Sequence, residues 1–238
     1  MKIHRFFLNP AELAGGALPE KGRVVVADKN LAHQMRHVLR FQVGHQVVLL
    51  DNSGTEFSAH IEQLTNSDAV FEIDSCAPSK NLPHRKVTIF MALSKRDSFE
   101  MVLEKGTELG AYAFVPVLSE RSEKKSLNME RARRIVQEAA EQSERAILPA
   151  IADVQTLAEL LAVTPTGLFV LDPRGEKMPP SLLQSTEDLN VCIGPEGGWS
   201  EKEIALFRDH NIPVYSLGSQ ILRAETAAIA CSAIALLS

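Results

Sequence analysis

Residues 190–203 read NVCIGPEGGWSEKE. Asn190–Ile193 is a short apolar run of the kind found inside a parallel sheet buried on both faces. Gly194, Gly197 and Gly198 follow within five residues; lacking side chains, they let backbone N–H groups approach a ligand and adopt φ angles that other residues avoid. Ser200 and Glu203 stand at capping-box spacing and start a helix over Glu201–Arg208. Alone, such a strand-to-helix loop is either a binding loop or a tight turn. Gly-x-Gly-x-x-Gly is absent and no Gly-Lys-Ser/Thr follows, so neither a dinucleotide fingerprint nor a P-loop is indicated, and a nucleotide-dependent oxidoreductase is a remote reading.

Working outward, Gly167–Leu171 and Pro213–Leu217 are two more strands of this type. In open α/β sheets ligands bind beyond the C-terminal ends of such strands. After the last comes SLGSQILRAETA, Ser216–Ala227, where Leu217, Ile221 and Leu222 offer an apolar slot and Arg223, Glu225 and Thr226 a polar rim. Arg223 and Glu225 could equally pair with each other or cap the next helix. That helix, Thr226–Leu237, is apolar all round, so it is buried in the core or against a second subunit. Earlier, Val87–Leu93 is apolar, Asp97–Leu109 amphipathic and stopped by Gly110, and Tyr112–Leu118 apolar again, which predicts an α/β domain. A helix from Asn128 to about Arg145 puts Met129, Ala132, Ile135, Val136, Ala139 and Ala140 on one side. Arg131, Arg133, Arg134, Glu138, Glu141 and Arg145 form the other, which reads as a solvated face with a Glu141–Arg145 pair.

The first part of the chain differs. Ile3–Leu8, Arg23–Ala27, Gln46–Asp51, Glu56–Ile61 and Ala69–Ile73 read as strands of a small barrel, with a turn at Asp51-Asn52-Ser53-Gly54. One helix, Asn30–Leu39, places Leu31, Met35, Val38 and Leu39 on a single face. Residues 76–86, CAPSKNLPHRK, break all periodicity and read as a linker between domains 1–75 and 87–238.

The net charge of −5 excludes a protein whose main device is a basic surface. The balance is uneven: residues 80–150 carry 13 basic and 10 acidic side chains, residues 151–238 carry 5 and 11. The acidic third suits either a cationic ligand such as a sulfonium or plain solubility. Cys76, Cys192 and Cys231 lack disulfide or zinc spacing, so no metal and a reducing cytoplasm are expected. No run is long enough for a membrane span, and the N-terminal residues do not read as a signal peptide.

GPEGG followed by an aromatic residue and Ser, and Leu-Gly-x-x-Ile-Leu-Arg-x-Glu-Thr-Ala at 217–227, resemble the two C-terminal signature loops of the RsmE family of SPOUT methyltransferases. Further matches are His4-Arg5-Phe6-Phe7, His37-Val38-Leu39-Arg40 with Gly44, Glu104–Gly110 (EKGTELG), Glu120-Arg121-Ser122 and Glu138–Arg145 (EAAEQSER). The resemblance implies a PUA-like RNA-binding β-barrel, then an α/β domain knotted into a trefoil, working as a homodimer on 16S ribosomal RNA. The activity implied is S-adenosylmethionine-dependent methylation of uridine N3. Cofactor contacts would fall at Leu171, Ile193, Gly194, Pro195, Glu196, Gly197, Gly198, Leu217, Gly218, Ile221, Leu222 and Thr226. Arg223 would stabilise charge on the base, and Glu225 or Glu196 would accept its proton. RNA contacts are expected at Arg5, Arg36, His37, Arg40, Arg121, Lys124 and Lys125. The competing readings are a SPOUT enzyme acting on a ribose 2′-OH or another base, and a non-catalytic RNA-binding adaptor.

Overall fold

A computed structural model describes residues 3–9, 13, 17–184 and 187–237; the other positions within the expected ranges 1–75 and 87–238 lie outside the described residues. The chain forms two compact units, Met1–Leu82 with Ala140–Ile147, and Pro83–Ala139 with Leu148–Ser238. The first break falls inside the stretch read as a linker. The return of Ala140–Ile147 to the first unit has no counterpart in the linear division.

In the first unit β1 (His4–Phe7), β2 (Gly22–Val26), β3 (Gln46–Leu50), β4 (Thr55–Leu64) and β5 (Ala69–Pro78) form one sheet in the order β1-β3-β4-β5-β2. β1 runs parallel to β3 and the remaining pairs are antiparallel. Inward-facing Val24, Val26, Leu49, Phe57, Ile61, Phe71 and Ile73 build the core. β4 and β5 extend past their expected ends because register shifts at Ser58/Ala59 and Ile61/Gln63 break the alternation by which a strand is read. α1 (Lys29–His33) is capped by the Asp28 carboxylate and passes into a π-helical turn, Gln34–Val38. Leu31 and Met35 are buried as expected, but Val38 is 67% exposed. The wider π turn carries it off the apolar face.

The segment after helix α3 (Met129–Gln142) completes this unit. Glu144 takes φ 61, turning the chain inward. Arg5 is then held by Glu56 at 2.8 Å and Glu144 at 3.3 Å, the Phe7 N–H donates to Glu141 Oε1 at 3.1 Å, and Ala146 packs with Val48 and Leu50. Arg145 is therefore buried rather than part of a solvated face, and desolvation lowers its pKa to about 10.

The second unit holds a wholly parallel seven-stranded sheet. β6 (Val87–Ala92), β7 (Ala113–Leu118), β8 (Ala150–Ile151), β10 (Leu168–Lys177), β11 (Leu189–Ile193) and β12 (Val214–Ser216) run in the order β12-β10-β11-β6-β7-β8, with β9 (Gln155–Thr156) also paired to β7. Val87, Ile89 and Met91 face a core shared with α2 (Arg96–Leu109), α3 and α7 (Ala224–Leu237). Phe90 and Ala92 face a second core built with α4 (Leu157–Val163) and α6 (Glu201–Asp209). A strand apolar on both faces needs a helix layer on each side, and the sequence supplies them. α2 stops at Gly110, which takes φ 107 as a left-handed cap. The short β8, β9 and α5 (Pro180–Gln184) carry too little periodicity to be read from sequence.

β10 does not end at Leu171. Its pairing with β12 is interrupted after Leu171 and resumes at Glu176, so residues 172–175 loop out. Gly175 closes that excursion: a Cβ there would lie 2.5 Å from the Val214 carbonyl oxygen.

Candidate active site

The parallel register sets Leu171 beside Ile193 on one side and Tyr215 on the other, so the break in β10 after Leu171 lies level with the C-terminal ends of β11 and β12. The loops leaving them enclose a cleft of about 280 Å³. Leu171, Ile193, Gly194, Pro195, Glu196, Gly198, Leu217, Gly218, Ile221, Leu222 and Arg223 all line it. Gly197, Glu225 and Thr226 do not. Sequence reasoning missed Asp172, Trp199 and Tyr215, which also line the cleft. An aspartate directly after an apolar strand was the available signal for Asp172.

The glycine-rich loop is fixed at several points. Gly198 takes φ 67 and donates its N–H to the Pro195 carbonyl at 2.8 Å. Glu196 Oε1 accepts the Lys95 backbone N–H at 3.0 Å, and Arg121 Nη1 donates to the Gly197 carbonyl at 2.7 Å. Ser200 and Glu203 form the expected capping box, and Glu203 also accepts the Glu120 N–H at 2.7 Å. Arg174 links two walls: it donates to both Asp172 carboxylate oxygens, to the Trp199 carbonyl at 2.8 Å, and to Glu201. Burial pushes the Asp172 carboxyl up, but the bonds from Arg174 outweigh this and hold it below the usual aspartate range.

Two features fit an organic ligand. A Cβ at Gly194 would meet the Trp199 indole at 3.1–3.3 Å, so the glycine keeps the loop close to that ring. Among the described residues the buried Trp199 Nε1 has no hydrogen-bond partner. Together with apolar Leu217, Ile221 and Leu222, these are the features of a small-molecule site with a few placed polar groups.

Of the basic residues singled out, Arg36, His37 and Arg40 are exposed on the first unit, Arg36 bonded to Asn66 at 2.8 Å. Arg5 is turned inward, its side chain 13% exposed and its charge met by Glu56 and Glu144; this corrects its expected place on an RNA face. On the second unit Arg121, Lys124 and Lys125 are exposed. Lys124 borders a second cavity of about 300 Å³ with Arg96, Glu100 and Arg131. Bonds from Arg131, and then Arg96, hold the Glu100 carboxyl at about 2 despite partial burial.

Residues 80–236 match the RNA methyltransferase domain family, and residues 27–74 match the RNA methyltransferase PUA domain. A ribosomal RNA small subunit methyltransferase E of Rickettsia conorii is 30% identical over 96% of this chain and 93% of its own length. This chain belongs to the RsmE family of RNA methyltransferases. It therefore joins an N-terminal PUA-like domain to a C-terminal α/β methyltransferase domain. The Synechocystis member is 38% identical over 82% of this chain and 67% of its own. The solved family structure from Neisseria gonorrhoeae, bound to S-adenosyl methionine, superimposes with a TM-score of 0.86 at 28% identity, covering 98% of this chain and 96% of that one.

Proposed function

We propose that this protein methylates N3 of a uridine in the decoding region of 16S ribosomal RNA, with S-adenosylmethionine as methyl donor, in the cytoplasm and as a homodimer. The observation that carries the reading is the cleft where the GPEGG and QILR loops meet, beside the break in β10 and the ends of β11 and β12, in a chain whose relatives are named as small-subunit RNA methyltransferases. A doubly wound parallel sheet with this site is compatible with the knotted SPOUT topology, which we adopt as part of the proposal. The exposed Ile221, Ile234 and Leu237 support a second copy as partner, since large apolar side chains on one unit favour burial.

When bound, S-adenosylmethionine supplies an electrophilic methyl group on a sulfonium sulfur. Main chain around Gly194, Gly198, Leu217 and Leu222 would hold the donor so that the methyl can pass to the attacking atom and S-adenosylhomocysteine can leave, and such positioning would supply much of the rate. Uridine N3 attacks only as its proton leaves. Arg223 lines the cleft and stabilises the negative charge that spreads to O2 and O4 of the ring. Glu196, at the cleft with one oxygen anchored on Lys95, is the proton acceptor. Glu225 carries a buried Oε2 without a partner among the described residues but does not line the cleft, so it ranks second. Arg36, His37 and Arg40 on the PUA-like unit, and Arg121, Lys124 and Lys125 on the other, contact phosphates. Arg121 does so while tied to the glycine loop.

Incubation with labelled S-adenosylmethionine, against free small-subunit RNA and assembled particles, tests the reading. Nucleoside mass spectrometry should find 3-methyluridine. A 2′-O-methyl nucleoside would replace the assignment of the base, and absence of any transfer with intact cofactor binding would favour an adaptor.

A further inference from the structure

Trp199 is the only tryptophan in the sequence, it is 1% exposed, and it forms part of the cleft wall. Its ring packs against Phe207 of α6, edge-on at a centroid distance of 5.0 Å. Its main-chain carbonyl is fixed by Arg174 at 2.8 Å. The indole therefore cannot turn to find a new partner without losing its contact with Phe207, and the carbonyl bond holds the backbone in place. Yet its Nε1, which can only donate, is buried with no acceptor. Native proteins rarely keep a buried donor unmade, and one that persists at a cleft calls for a specific explanation. Gly194 adds to the case: a Cβ there would sit 3.1 Å from this nitrogen, so only a glycine lets the main chain of the cleft loop pack this close to that edge of the indole.

We infer that Trp199 Nε1–H donates a hydrogen bond to an acceptor on the bound S-adenosylmethionine, making the indole a cofactor-binding group as well as a core side chain. The inference rests on the proposed function. The acceptor is a lone pair of the nucleoside, on adenine nitrogen or ribose oxygen, or of the amino-acid carboxylate. The contact replaces nothing within the protein, so its gain falls wholly on the bound state. A single neutral hydrogen bond of this kind corresponds to about a three- to tenfold change in affinity.

Because there is one tryptophan, uniformly 15N-labelled protein gives one indole Nε1–H signal. Titration with S-adenosylmethionine should move that signal and slow its exchange with solvent. Titration with 5′-methylthioadenosine, which lacks the carboxylate, separates the two sources: a retained shift assigns the nucleoside, and a shift seen only with the full molecule assigns the carboxylate. By calorimetry Trp199→Phe should bind S-adenosylmethionine about three- to tenfold more weakly. Binding with a stationary indole signal, or equal affinity in a folded Trp199→Phe variant, overturns the inference and leaves the proposed function standing. Failure of the wild-type protein to bind S-adenosylmethionine overturns both. Should Trp199→Phe fold poorly, the indole titration of the wild-type protein decides alone.

Discussion

Gly194 and Gly197 occupy the same loop three residues apart and face different neighbours. A methyl group on Gly194 would press on the Trp199 indole at 3.1–3.3 Å, whereas one on Gly197 would meet Arg121 carbons at 3.5–3.6 Å, an ordinary contact. Gly194→Val should therefore weaken S-adenosylmethionine binding severely while Gly197→Ala binds close to wild type, with calorimetry as the measurement. Equal losses at both positions would show that the loop acts as a unit. The motif GPEGG was legible in the sequence as a close backbone approach, but spacing alone could not say which glycine faces the ring. The same limit applied to charge. Arg5 and Arg36 look alike in sequence, and only the carboxylates at Glu56 and Glu144, distant along the chain, separate a half-buried ion pair from an exposed cation. For chemistry, Arg223→Ala should lower kcat by more than it lowers cofactor affinity. Glu196→Gln keeps an acceptor for the Lys95 N–H, so it tests proton transfer apart from loop docking: turnover should drop by about a hundredfold or more, with Glu225→Gln far milder. Single-turnover methylation assays would reveal the reverse order if Glu225 is the acceptor.

Helices and strands show which local signals suffice. Capping boxes, the Gly110 stop and apolar strands placed α2, α6, β6 and β11 within a residue or two, because those signals act between near neighbours. Register shifts in β4, the π turn after α1 and the excursion inside β10 depend on partners remote in sequence, and were not legible. α2 also illustrates packing overriding propensity. Alanine is the better helix former by about 1 kcal/mol, but a Cβ at Gly106 would lie 2.8 Å from the Phe114 ring. Gly106→Ala should thus destabilise the protein by about 1–3 kcal/mol, read by denaturant unfolding; a stabilised variant would mean that Phe114 moves aside freely. Between α2 and α3, Glu100 is held at about 2 by Arg131 and Arg96, below its ordinary 4.5. A depressed folded-state pKa gives stability that is present above the ordinary value and is lost as pH falls from about 4.5 towards 2. Thermal melts should show Glu100→Gln less stable than wild type at pH 6, with the gap narrowed at pH 3 and closing only towards pH 2; a constant gap would remove the ion pair from the acid response.

On the scale of the whole molecule, two kinds of domain were legible from the change in pattern near residue 80, and the site from three strand ends. The family resemblance supplied what periodicity could not, the expected knot and the expected partner copy. In the proposed dimer Ile234, 47% exposed, and Leu237, 72% exposed, meet a second subunit. Replacing both by glutamate should yield monomers in sedimentation velocity and reduce transfer to RNA; an unchanged dimer would place the interface on another face.

Ala140–Ile147 belongs by its packing to the unit that begins the chain, though it is encoded far downstream. A polypeptide terminated near Leu82 would keep Glu56 for Arg5 but lose Glu144, the Glu141 acceptor for the Phe7 N–H and the methyl group of Ala146 against Val48 and Leu50. During synthesis this module thus cannot complete its packing until residues 140–147 have been made. Attempts to obtain it alone should graft that distal octet back, for instance through a short designed tether.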